Sequence, residues 1–75
     1  DKAIRIFPNP AFGFINIEQT FNERLSVQLY DALGRLIIST WMTDQNLSLP
    51  TRSYSNGLYW LKVGDQMPEK IIIVK

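Results

Sequence analysis

Residues 24–40 read RLSVQLYDALGRLIIST, and their pattern decides the fold class. Leu25, Val27 and Leu29 alternate with Ser26, Gln28 and Tyr30, the period-two pattern of a half-buried strand. DALG then reverses the chain. Asp31 opens the turn and Gly34 falls where a positive φ is needed, which predicts a type I turn followed by a glycine bulge. RLIIST runs back with Leu36 and Ile38 expected to share the inward face, so the stretch reads as a β-hairpin.

The same period recurs on both sides of it. Ala3 to Phe7 predicts a short strand, with Arg5 between Ile4 and Ile6. Pro8 and Pro10 cannot donate to a ladder and end that strand, and Asn9, held extended by the proline after it, makes PNP a stiff corner leading to FINIE. There Ile15 and Ile17 alternate with Asn16 and Glu18. Leu47 and Leu49 mark a short strand closed by Pro50, GLYWLKV alternates again, GDQMPE supplies a turn, and KIIIVK closes the chain as a strand. About seven strands at spacings of roughly 8 to 12 residues, with no helical period, predict an all-β antiparallel sandwich. The expected core is Ile6, Ile15, Ile17, Leu25, Val27, Leu29, Leu36, Ile38, Leu47, Tyr59, Leu61, Val63, Ile71 and Ile73.

Composition narrows what such a sandwich can do. At 75 residues, 45% hydrophobic and 20% charged, the chain reads as one small globular domain. A domain of this size buries only about 60% of its unfolded surface and leaves no room for a deep, enclosed site. Eight Lys plus Arg against seven Asp plus Glu give a net charge of +1, and no two basic residues adjoin, so a nucleic-acid partner is not expected. No stretch is long and apolar enough to predict a membrane span. With neither His nor Cys, the commonest general base, the thiol nucleophile, the usual transition-metal ligands and any disulfide are missing.

The remaining candidates weigh toward structure. Asp31, Asp44 and Asp65 lie in predicted turns, where Asp caps backbone N–H groups, and Glu18, Glu23 and Glu69 sit at solvated strand ends. DQN at 44–46 lacks the acidic spacing of a calcium loop, and Gly34 and Gly57 stand apart from any phosphate-binding loop. No cofactor and no catalysis are expected. Trp41 and Trp60 offer flat faces that could stack on sugars, which makes a carbohydrate-binding adhesive or spacer module the alternative reading. The half-buried habit of amphipathic aromatics favours packing or surface cover for both. KIIIVK is apolar on both faces: either the domain covers both, or Ile72, Val74 and an unpaired edge are offered to a partner or to a second copy. The residues leave both options open. The chain begins DKAIRIF, without Met, and reads as a piece of a longer protein.

Four separated pieces occur in one order: FPNP at 7–10, YDALGRLI at 30–37, SNGLYWLKV at 55–63 and EKIIIVK at 69–75. Over nearly the whole chain that order resembles the C-terminal sorting domain of the type IX (Por) secretion system of Bacteroidetes-type bacteria. The resemblance implies an immunoglobulin-like β-sandwich that serves as an address. The cargo would enter the periplasm by an ordinary N-terminal signal and fold there. Shuttle proteins and the outer-membrane translocon would then carry it out, and a sortase-like peptidase would remove the domain, leaving the cargo released or fixed to the cell surface. By position, Pro8, Asn9 and Pro10 match the first motif and Gly57 and Tyr59 the third, as structural elements. Gly34 and Arg35 match the second, and Lys70, Ile71, Ile72, Ile73, Val74 and Lys75 match the terminal segment, which together would be the recognised residues. Phe12 departs from the small or polar residue expected after PNPA, and a cleavage region would be missing or reduced to Asp1 and Lys2.

Overall fold

In the computed structural model, which describes residues 3–75, the hairpin forms where the alternation places it, with Leu25–Asp31 antiparallel to Leu36–Met42. The expectation attached to Asp1 and Lys2 lies outside the described residues. In chain order the strands are β1 (Ile4–Phe7), β2 (Ala11–Phe12), β3 (Phe14–Gln19), β4 (Leu25–Asp31), β5 (Leu36–Met42), β6 (Asn46–Pro50), β7 (Gly57–Val63) and β8 (Glu69–Val74). No helix occurs among the described residues.

The strands form a three-stranded sheet, β1-β3-β6, and a five-stranded sheet, β2-β8-β7-β4-β5. Because β3 pairs with β6 and not with β4, the chain crosses between sheets after β3 and again after β5. That crossing builds a sandwich from strands whose apolar residues all need one shared interior. The strand that alternation did not announce is β2, whose two residues pair parallel with β8, Ala11 with Ile73 and Phe12 with Val74. PNP therefore leads from one sheet into the other before FINIE begins, with both Phe7-Pro8 and Asn9-Pro10 cis.

Between the sheets, Ile15 and Ile17 of β3 and Leu49 of β6 meet Val27, Leu29, Met42, Tyr59, Leu61, Val63, Ile71 and Ile73. Ile6, Leu25, Ile38 and Leu47 are half-buried at its margin. Leu36 corrects the expected core: it is 54% exposed. The cause is a register shift, since Leu29 opposes Ile38 while the next residue, Tyr30, opposes Leu36. Ile37 is the extra residue of a bulge, and beyond a bulge the alternation changes face. Ile38, Thr40 and Met42 then point inward, which buries Met42, and Leu36 turns out with Tyr30.

Candidate recognition site

The last strand lies inside its sheet rather than at the border. Tyr59 opposes Ile71 and Gly57 opposes Ile73 on the β7 side, and both isoleucines are buried. On the other side β2 pairs with Ile73 and Val74 only, yet the preceding stretch is also occupied. The Asn9 amide nitrogen donates to the Lys70 carbonyl at 3.0 Å, and the Ile72 N–H donates to the Asn9 Oδ1 at 3.1 Å. A primary amide carries a donor and an acceptor side by side, so it stands in for one peptide unit of a neighbouring strand. The open edge considered for a partner or a second copy is therefore filled by β2 and Asn9. The outward side chains of Ile72 and Val74 stay half-buried.

Beyond the strand's end, the Lys75 N–H donates to Asn56 Oδ1 at 2.8 Å, so the SNG stretch holds the chain end. The ring of Tyr59 is in the core, and its hydroxyl donates to the Ser55 carbonyl at 2.7 Å, the partner a buried phenol needs. Asp31 opposes Tyr59 across β4 and β7, which sets the DALGR turn against residues 55–59 along an open cleft of about 270 Å³ lined by Leu33, Arg35, Asn56 and Leu58 among others.

That turn is tightly made. Gly34 at φ +84 donates to the Asp31 carbonyl at 3.0 Å, and the Asp31 N–H donates to the Arg35 carbonyl at 2.9 Å. Nothing stands within 4 Å of a Cβ built on Gly34, so backbone conformation alone selects glycine there. The Asp31 carboxylate accepts the N–H groups of Leu33 and Arg35, both at 2.9 Å, and Arg35 Nε at 2.7 Å. The Arg35 backbone N–H, opposed by desolvation and joined by the guanidinium and the Leu33 N–H, holds this carboxyl below the usual aspartate range. A lowered folded pKa stabilises the turn fully above the ordinary value of about 4 and loses that contribution as the pH falls through the folded value. The amide shifts of Leu33 and Arg35 should thus stay flat in an NMR titration down to about pH 4 and move together below it. The Arg35 side chain is 76% exposed, with the rest of its guanidinium turned to solvent.

All four sequence motifs thus form one continuous surface: the DALGR turn against SNGLY, SNGLY against β8, and β8 against PNP. Sequence reasoning placed Asn9 in a corner and overlooked Asn56; in the structure both clamp the last strand. Trp60, at 37% exposed, covers the outer face of the large sheet, and Arg24 lies 4.2 Å from the ring centre of Trp41. Among the described residues no group of three or more acidic side chains could hold a metal ion. What the surface offers is hydrogen-bonding groups, cations and apolar side chains, the chemistry of contact.

Fold and site together define a small immunoglobulin-like β-sandwich module organised around its own last strand. The chain belongs to the family of secretion system C-terminal sorting domains, which matches residues 5–75. The family is one of type IX secretion signals, directing export toward the outer membrane and the cell exterior, and is not a family of catalysts. Among solved structures, the crystal structure of dimeric latent PorU from Porphyromonas gingivalis superposes on 95% of this chain with a TM-score of 0.76 at 20% identity. At that identity the likeness speaks for the fold, and the chain corresponds to 9% of that protein's length. No curated protein matches the sequence.

Proposed function

We propose that this domain is the non-catalytic address at the end of a longer exported protein, read in the periplasm by shuttle proteins and the outer-membrane translocon. A sortase-like peptidase then removes it, and the cargo is released or fixed to the surface. The observation that carries this reading is the convergence of the four motifs on β8 and its immediate neighbours, which gives each motif a place in one contact surface. Recognition falls on the Gly34 and Arg35 turn and on residues 70–75. Within that segment Lys70, Ile72 and Val74 present side chains outward and Lys75 is exposed beyond the strand, while Ile71 and Ile73 fix the strand from the core.

The test fuses residues 1–75 behind a periplasmic reporter in a host that has this secretion system. The reporter is expected outside the cell; a folded fusion that stays in the periplasm would refute the address. Deleting residues 70–75 is uninformative, because it removes Ile71 and Ile73 from the core. Arg35→Ala is the better probe. An exposed ion pair contributes less than about 1 kcal/mol, so the thermal midpoint should hardly move while export falls several-fold.

A further inference from the structure

At the end of the five-stranded sheet that carries Leu36, Tyr30 and Trp60, the outward face is apolar where the outward face of a solvated sheet is polar, while Ser26, Gln28 and Ser39 make the other end polar. Phe12 is 59% exposed, Leu36 54% and Trp60 37%, and the registers of β2, β8, β7, β4 and β5 join them through Val74, Ile72 and Leu58. The only charges among these outward positions are Lys62 and Lys70, and no acid interrupts them. Arg52 and Lys75 extend the basic rim, lining an open cleft of about 380 Å³ beside Phe12 and Val74. Strand spacing and rise make the patch about 20 Å by 20 Å, or about 400 Å². That is around half of one side of a standard stable interface, a size suited to a contact that forms and releases.

We infer that the receptor reads this flat outer face, through an apolar protein surface rimmed by Asp and Glu, and not through a strand added to the edge of β8. The inference rests on the address reading and names the face and the partner's chemistry. The edge of β8 is already filled by Asn9 and β2, which leaves the face as the accessible part of the terminal strand. A second copy fits it poorly, since face-to-face stacking would bring the lysines of both copies together with no acid on the patch to offset them. A bilayer also fits poorly, because a flat sheet projects no element into lipid.

The experiment uses the reporter fusion with Phe12→Asp, with the pair Lys62→Glu and Lys70→Glu, and with Arg5→Gln on the outward face of the smaller sheet as control. The unmutated fusion and Arg5→Gln are expected outside the cell. Phe12→Asp and the double lysine reversal should each lower export about tenfold or more, by burying an unpaired charge or by setting like charges against each other. Circular dichroism melts within a few degrees of the unmutated domain establish that the variants fold, and the lysine pair stands independently of Phe12. If both variants are exported like the unmutated fusion, this inference falls and the address reading stands. If the unmutated fusion stays in the periplasm, both fall. Pelleting with phosphatidylglycerol vesicles that Phe12→Asp abolishes would assign the face to lipid, and a dimer that Phe12→Asp dissociates would assign it to a second copy; either overturns the proposal.

Discussion

Leu61→Ala lowers the unfolding free energy by about 2 to 5 kcal/mol, read as a shift of the urea midpoint. Leu61 is fully buried in β7, with Leu29 opposite it on β4, at the centre of the larger sheet. Truncation leaves a cavity that strands on both sides cannot close without breaking their ladders. A domain of this length has about 4 to 11 kcal/mol in total, so the loss takes about a fifth of it at the least and can exceed half. Leu61→Met keeps most of the volume and should recover all but about 1.5 kcal/mol. A midpoint unmoved by Leu61→Ala would mean that the two sheets do not meet there.

Asn9→Ala opens the border of the last strand. It frees the Lys70 carbonyl and the Ile72 N–H, each a hydrogen bond with a net contribution of about 0.5 to 1.5 kcal/mol. Together they amount to about 1 to 3 kcal/mol, so hydrogen exchange at Ile72 should speed up by about five- to 150-fold. Amides of β4, separated from β8 by β7, should change far less than Ile72 does. Asn9→Asp keeps an acceptor for Ile72 but sets a carboxylate against the Lys70 carbonyl, so it should not rescue the loss. Exchange at Ile72 unchanged by Asn9→Ala would show that the amide does not act as a strand unit.

The parts that the sequence made legible are those specified locally. GLYWLKV gives the bounds of β7, and the DALG turn was readable from Asp31 and Gly34 because a turn's chemistry lies within a few residues. Leu36 was misread because Leu36, Ile37 and Ile38 are apolar in succession, which hides the phase, and the bulge at Ile37 leaves no mark in the alternation. β2 is too short to have a period. Asn9 between two prolines looks like a turn residue, and the backbone it completes lies 61 and 63 residues away. KIIIVK posed the right question by being apolar on both faces, but only the tertiary arrangement could decide it. The border is filled by the chain itself, and the outward side chains remain half-covered.

The insertion of β8 between β2 and β7 also bears on synthesis and trimming. A ribosome that stalls before Glu69, or a protease that nibbles back to it, takes Ile71 and Ile73 out of the interior and leaves Asn9, Ala11 and Phe12 facing water. Such a product is not a sound domain with a frayed tail but a chain without its domain. The folded state thus requires that translation has passed Ile73 and that no trimming has reached back to it.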